Sequence, residues 1–259
     1  MAPHNRKTPT GALVALALVG AALLAGCAGL GNDNSGNRAP TAHLEADRTK
    51  GWATDAFAFD GRSSTDPDGN VTSWRFDFGD GSNVTVTSGD AAHVTHAYAK
   101  GGEYLVTLTV VDDGTHDGLE KKADSDTVRV AVDERYPVDA TVVRSPLNSS
   151  AGATMGVPFD VRAGADQAVA NLTLRNLLPT GASEVRFRVL DADGKVLHEQ
   201  SEVLNGTAPR ALRFTTDLPD TGNHTLQVTA MSGSVQVTGE LQVVYSDSMD
   251  AKMAASTHA

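Results

Sequence analysis

Apolar and polar residues alternate in short runs along most of the chain between residues 41 and 245. Because side chains two positions apart lie on one face of a β-strand, each alternating run predicts a strand with one buried face. Glycine, aspartate, asparagine and proline separate these runs, and they are typical turn residues. After residue 40 we find no convincing amphipathic helix. The pattern therefore predicts an all-β fold.

The first group of alternating runs, residues 41–133, carries aromatic residues at many of the alternate positions. About ninety residues with roughly seven short strands are typical of a β-sandwich, in which the inner faces of two sheets pack together. One of these strands is predicted at residues 56–60. The residues expected on the inner faces are Phe57, Phe59, Trp74, Phe76, Phe78, Tyr104, Val106, Leu108, Val110, Val128, Val130 and Val132.

A second group of runs, residues 134–246, predicts another sandwich of unidentified family, with turns at Asp191–Gly194 and Ser232–Gly233. Its strands are expected at residues 168–175, 184–190, 195–202, 211–216, 223–230 and 234–245. Its inner-face residues are expected to be Val185, Phe187, Val189, Leu226, Val228, Val235, Val237, Leu241 and Val243. Residues 247–259 show no pattern, which predicts a disordered tail. The predicted fold is thus two tandem immunoglobulin-like β-sandwiches.

The start of the chain has the pattern of an export signal: Arg6 and Lys7 precede an uncharged apolar run at residues 11–26. The run ends in Leu24-Ala25-Gly26-Cys27, which resembles the lipobox of prokaryotic lipoproteins. That resemblance implies that residues 1–26 are removed and that Cys27 carries a diacylglyceryl anchor, since two acyl chains hold a protein stably in a membrane. An ordinary signal with a chance cysteine, or an uncleaved membrane-spanning helix extended to Leu30, is the alternative. The lipid anchor and the membrane-spanning helix both place the folded part outside the cytoplasm.

Between Cys27 and residue 40 the chain is rich in Gly and Asn with few large apolar residues, which predicts a flexible tether. Three motifs then follow one another in the first sandwich. They are Phe59-Asp60 with Ser63-Ser64-Thr65-Asp66-Pro67-Asp68-Gly69, then Trp74-Arg75-Phe76-Asp77-Phe78-Gly79-Asp80-Gly81, then His96-Ala97-Tyr98 with residues 102–110. Together they resemble the PKD family of extracellular immunoglobulin-like modules. The resemblance implies a spacer or binding module without catalytic activity of its own.

The composition narrows the classes of function. Acidic residues outnumber basic ones 32 to 21, which gives a net charge of −11 and disfavours nucleic acid as a partner. A single cysteine excludes a disulfide within the chain and a multi-cysteine metal site. No Gly-x-Ser-x-Gly, His-Glu-x-x-His or Walker motif occurs. We therefore expect no enzymatic activity.

Two patterns remain as candidate metal sites. Asp66 and Asp68 present oxygen ligands in one tight turn, and Asp112 or Asp113 joins them if the two loops share an end of the sandwich. Calcium prefers such ligands, so Asp66, Asp68 and Asp112 are the predicted calcium site and calcium is the single candidate cofactor. His93 and His96 have a ligand-like spacing, but in a strand they point to opposite faces.

Six of the eleven asparagines begin an Asn-x-Ser/Thr sequon, more than the two or so expected from the serine and threonine content. This excess predicts a surface with attached glycans, although threonine-rich strands and asparagine-rich turns also meet often in β-proteins. The candidate positions are Asn70, Asn83, Asn148, Asn171, Asn205 and Asn223.

The interpretation that unites these features is an exported, lipid-anchored protein of the cell envelope. Its modules are expected to mediate adhesion or to bind an envelope protein or polysaccharide through loops on a rigid scaffold. Two alternatives stay open: an accessory lipoprotein of a secreted hydrolase or transporter, and a glycosylated structural spacer.

Overall fold

A computed structural model describes residues 37–114, 120–144 and 153–245 of the chain. The predicted signal segment, the lipidation site Cys27, the tether up to residue 36, the sequon at Asn148 and the tail lie outside the described residues. Within the described ranges, no helix has both the length and the apolar character needed to cross a membrane.

These ranges hold strands and one short 3₁₀ helix at Gly89–Ala91, so the all-β prediction is confirmed. In chain order the strands are β1 (Glu45–Ala46), β2 (Lys50–Trp52), β3 (Ala56–Asp60), β4 (Val71–Asp77), β5 (Asn83–Val86), β6 (His93–Ala97), β7 (Gly102–Asp112), β8 (Ala123–Arg144), β9 (Thr154–Val161), β10 (Ala165–Asn176), β11 (Ala182–Leu190), β12 (Val196–Asn205), β13 (Arg210–Asp217) and β14 (Gly222–Tyr245).

The first hydrophobic core lies between two sheets. One sheet has the strand order β1-β3-β6, and the other has the order β5-β4-β7-β8, with β2 pairing in parallel to β8. The remaining pairs are antiparallel. The predicted inner-face residues are buried in this core, except Val128, which is half-buried and packs against it. Alternation therefore predicted the strand at residues 56–60 and the buried faces correctly in this region, whereas it did not reveal the short strands β1 and β2.

The second hydrophobic core also lies between two sheets, with the strand orders β12-β11-β14-β9 and β13-β10-β14-β8. All nine residues predicted for its inner faces are buried with 0% exposure. Strand β9 and the second half of β8 extend the predicted set. The two sheets share β14, whose first half lies in one and whose second half lies in the other.

The predicted turn at Ser232–Gly233 is wrong, because β14 runs through these residues as one strand. Ser232 pairs with β11, whereas Gly233 pairs with β8, so the chain crosses here from one sheet to the other. A hairpin would instead pair the two halves with each other. Gly233 makes the crossing possible, since its φ is +71° and an added Cβ would lie 2.1 Å from Ser183 Oγ.

Strand β8 connects the two cores. Its first half pairs with β7, and its residues from Glu134 onwards pair with β14. At the junction, the carboxylate of Asp133 accepts a hydrogen bond of 2.8 Å from the backbone N–H of Tyr245. The domain boundary expected after residue 133 therefore falls inside a continuous strand.

Candidate functional site

The Asp66–Gly69 turn lies at one end of the first core. Asp66 Oδ1 accepts a hydrogen bond from the backbone N–H of Asp68 at 3.2 Å, which closes the turn. The carboxylate of Asp68 accepts the backbone N–H of Arg38 at 3.0 and 3.2 Å. Asp66 Oδ2 is buried and has no hydrogen-bond partner among the described residues. The turn thus holds one carboxylate oxygen whose bonding is unsatisfied.

The loop after β7 lies beside this turn, as the calcium prediction requires. Asp113 accepts hydrogen bonds of 3.1 Å from the backbone N–H and the side-chain amide of Asn70, and these bonds hold the pKa of Asp113 below its usual range. A Cβ added to Gly69 would lie 2.3 Å from Asp113 Oδ1 and 3.3 Å from Asp66 Oδ2. The space beside Gly69 is therefore flanked by two carboxylates.

Asp112 has a different role. Its carboxylate is fully buried and accepts hydrogen bonds from Asn37 Nδ2 at 2.7 Å and from the backbone N–H groups of Gly114 and Lys122 at 3.0 and 2.8 Å. These bonds tie the loop to the start of the domain. Across the described part of the chain, no group of three or more His, Cys, Asp or Glu side chains is arranged to hold a metal ion. Calcium binding at Asp66, Asp68 and Asp112 stays a prediction, and Asp113 is the neighbour that the structure adds.

The two histidines of β6 contact different carboxylates. His93 Nδ1 lies 3.5 Å from Asp60 Oδ2, and His96 Nε2 lies 2.8 Å from Asp80 Oδ2. Ser82 Oγ approaches the same His96 nitrogen at 3.5 Å. A catalytic triad needs the hydroxyl and the carboxylate on opposite nitrogens of the ring, so this cluster lacks that geometry. It joins the Gly79–Gly81 turn to β6 instead.

The described sequons differ in accessibility. Asn83, Asn205 and Asn223 are exposed at or near strand ends. Asn70 is also exposed, but its amide donates to Asp113. Asn171 is half-buried in the middle of β10, between β13 and β14.

A groove that the sequence did not reveal lies at the junction of the two cores. It has a volume of about 440 Å³ and is lined by Trp52, Ala53, Thr54, Asp55, Ala99, Glu134 and Arg135. We call it the Trp52 groove. The guanidinium carbon of Arg135 lies 3.8 Å from the centre of the Trp52 ring. Trp52 belongs to a three-residue strand with no alternating pattern, and Arg135 is distant in sequence, so no local signal could have joined them.

Comparison with known proteins gives a family for the first core. The family model of the PKD domain matches residues 37–130. The chain is 30% identical over 176 residues to the pre-pro-metalloprotease PrtV of Vibrio cholerae, which covers 68% of this chain and 15% of that protein. It is 42% identical over 76 residues to a microbial collagenase of Vibrio alginolyticus, which covers 29% of this chain and 9% of the collagenase.

The chain thus spans less than a sixth of the length of these curated relatives. Among solved structures, the PKD1 domain of the Vibrio cholerae metalloprotease PrtV is 33% identical, with a TM-score of 0.27; the match covers 36% of this chain and 99% of that domain. The 176-residue similarity to PrtV is too long to end at residue 130, so part of it continues into the second core.

Proposed function

Because residues 37–130 form a PKD domain, and PKD domains are non-catalytic modules, we propose that this chain is a binding or accessory module on the extracytoplasmic side of the membrane. The PKD match is the observation that carries the proposal. The internal hydrogen bonding of the Asp112 loop and of the His96 cluster agrees with it, because these polar groups serve the fold.

The architecture suits presentation of a surface to a partner. Strand β8 is shared by both cores, and Asp133 holds the end of β14 at their junction, so the described residues provide a rigid scaffold. Loops and grooves on a rigid scaffold are where binding residues concentrate. The leading role is adhesion, or binding of an envelope protein or polysaccharide.

A second role is favoured by the relatives. They are named as collagenases and a metalloprotease, and this chain matches only a small share of each. The shared part therefore suits a module that acts beside a hydrolase. The alternative to adhesion is that this chain is an accessory lipoprotein of a secreted hydrolase or transporter. A glycosylated spacer is the third possibility.

Membrane attachment through Cys27 is part of the proposal. Replacing Cys27 with Ser removes the thiol that would carry the lipid, so we expect the protein to move from the membrane fraction to the medium or the soluble fraction. Detergent partitioning of the wild type and the variant measures this. Full retention of the variant in the membrane would contradict the lipid anchor and favour a spanning helix.

The binding role is tested by crosslinking in living native cells, followed by capture of the tagged chain and mass spectrometry of its partners. A tagged fragment of residues 1–40 is the matched control, because it carries the anchor without the folded part. Enrichment of wall polymer or surface-layer protein over the control supports adhesion. Enrichment of one hydrolase or transporter supports the accessory role, and no enrichment over the control contradicts both.

A further inference from the structure

We propose that the Trp52 groove binds a cationic side chain, lysine or arginine, of a partner polypeptide. The groove lies where the two cores meet, and its volume of about 440 Å³ is within the range of small ligand sites. Its walls combine one indole ring, two carboxylates and an exposed guanidinium. The inference deepens the proposed binding function and rests on it for its biological meaning.

Arg135 shows what the face of the Trp52 ring accepts. Its guanidinium carbon lies 3.8 Å from the ring centre, well inside the distance of about 6 Å at which a cation is attracted to an aromatic face. Arg135 is itself exposed. An exposed side chain can move aside, so a partner's arginine or lysine can take the same position over the ring.

Two carboxylates provide the counter-charges. Asp55 Oδ2 accepts the backbone N–H of Trp52 at 3.2 Å, and Glu134 Oε2 accepts the backbone N–H of Gly101 at 2.9 Å. Glu134 Oε1 lies 3.9 Å from Lys100 Nζ, which is too long for a direct hydrogen bond. Each carboxylate has about four acceptor positions, so both retain capacity for the N–H donors of an incoming cation.

The walls of the groove are held rigidly. Thr54 has a φ of +73°, which is costly for a β-branched residue, and its backbone N–H donates to Tyr98 O at 2.8 Å. The next residue towards the N-terminus, Ala53, donates to Asp133 O at 2.8 Å. Strained backbone that the surrounding hydrogen bonds maintain is found preferentially at ligand sites. Here it lies at the rim of the groove and keeps Trp52 and Asp55 in place.

Long-range charge favours the same class of ligand. The chain has a net charge of −11, which attracts a basic polypeptide and repels an acidic one. Lys50 and Lys100 compensate part of the local negative charge, because they lie 3.7 Å from Asp133 and 3.9 Å from Glu134. A neutral side chain could still pack on the ring, but it would lack the electrostatic attraction to the ring face and to the carboxylates.

The test is a titration of the purified full-length Cys27→Ser chain with the blocked tripeptide Gly-Arg-Gly. The readout is the indole N–H signal of Trp52 in a ¹H–¹⁵N NMR spectrum, which Trp52→Phe identifies by its loss. The other tryptophan, Trp74, is buried and donates to Gly61 O, so its signal is an internal control. We expect saturable shifts of the Trp52 signal with this peptide and with its lysine analogue.

The citrulline analogue has nearly the same shape without the charge, and the glutamate analogue has the opposite charge. We expect both to bind much more weakly than the arginine peptide. Equal shifts with citrulline, or shifts with the glutamate peptide alone, would overturn the proposal. Because this test uses pure components, its failure is distinct from a failure of the crosslinking experiment.

Variants of the groove give the second arm. Arg135→Gln removes the resident cation and should tighten binding of the arginine peptide by about two- to fivefold, whereas Glu134→Gln should weaken it by a similar factor. Arg175→Gln makes the same change in net charge on the exposed side of β10 and is the matched control. Weaker binding of the arginine peptide by Arg135→Gln would contradict the proposal, because removal of the resident cation should favour an incoming one.

Discussion

The two hydrophobic cores follow the same layer plan but use different side chains. Seven of the 15 buried residues of the first core are aromatic, whereas only four of the 25 in the second core are. In the first core, the rings also make polar contacts, as where the Tyr98 hydroxyl donates to Phe78 O at 3.1 Å. The second core is mainly valine, leucine and alanine.

This difference explains why the two regions differ in how easily they are recognised. Aromatic rings have a fixed shape, and some also form hydrogen bonds, so few other residues can replace them. The first region therefore carries a recognisable sequence motif. Aliphatic side chains substitute for one another at little cost when total volume is kept. The family match accordingly ends at residue 130, while alternating buried positions continue to residue 245.

The largest effect on stability is expected when one ring is truncated in each core. Phe76→Ala and Phe187→Ala each remove a fully buried ring and should cost about 3–5 kcal/mol of unfolding free energy. Trp74 is buried in the first core and Trp52 lies at the junction, so tryptophan fluorescence reports the first region and its boundary with the second. Because β8 is shared, we expect Phe187→Ala to lower the fluorescence midpoint in urea as well.

Circular dichroism of the same samples reports both regions together. The exposed Leu105→Ala is the control and should change stability by less than about 0.5 kcal/mol. A fluorescence midpoint that is unchanged in Phe187→Ala would show that the two cores unfold independently.

The junction between the cores is sensitive to added volume. A Cβ on Gly101 would lie 2.8 Å from both Glu134 Cβ and Tyr245 Cε2, so Gly101→Ala should cost about 1–3 kcal/mol through overpacking. We also expect the fluorescence and circular dichroism transitions to separate. In the control Gly89→Ala, the added Cβ meets Trp74 only at 3.6 Å, an ordinary contact. If Gly101→Ala and Gly89→Ala lowered the unfolding free energy equally, the junction would not be unusually sensitive to added volume.

Each region contains an Asp-x-Asp-Gly turn, and calcium should distinguish them. The turn at Asp66 has a buried oxygen without a partner and lies beside Asp113, whereas the space beside Gly194 in the second turn is open. We expect calcium to raise the Tm, with a stabilisation of about 2.7 kcal/mol at a hundredfold excess over Kd. Asp66→Asn should abolish the shift, and Asp193→Asn should keep it. An identical Tm in calcium and in chelator would exclude a tight site.

Acid should lower the stability of the first region, because it protonates Asp60. The side-chain hydrogen bond from Arg62 lowers the pKa of Asp60 to about 2, below its ordinary value near 4. A carboxyl with a lowered folded-state pKa contributes stability above pH 4, and this contribution is lost as the pH falls from about 4 to about 2. Asp60→Asn should therefore cost less than about 1 kcal/mol at pH 7, because the pair is at the surface. The Tm of Asp60→Asn should approach that of the wild type as the pH falls to 2. A Tm difference that stays constant from pH 7 to pH 2 would show that it does not come from the ionised Asp60 carboxylate.

Glycans should have the smallest effect on stability of the changes considered. They should be attached only where the asparagine side chain is exposed. We expect modification of native protein at Asn83 in the first region and at Asn205 and Asn223 in the second, because their side chains are exposed. Asn171 is half-buried within a sheet and should remain free. Glycopeptide mass spectrometry measures the occupancy of each sequon. A glycan on Asn171 would contradict selection by accessibility, and bare sequons throughout would exclude glycosylation.

The fold class, most strand positions and the buried faces follow from local sequence pattern. Strand β3 has the predicted bounds, and residues such as Phe57, Trp74 and Phe187 are buried as expected. The physical reason is local: side-chain direction alternates along a strand, so the pattern of apolar residues records which face is buried. Turn residues record chain reversal in the same local way, as at Asp66–Gly69.

The pairing of the strands and the contacts between their loops could not be predicted from local pattern. A local pattern looks the same for a hairpin and for a strand that changes sheets, which is why the turn predicted at Ser232–Gly233 is wrong. Likewise, alternation could not show that Asp113 rather than Asp112 flanks Gly69, or that Arg135 covers Trp52. These contacts join residues far apart in sequence, and their positions depend on strand register and on the packing of whole sheets.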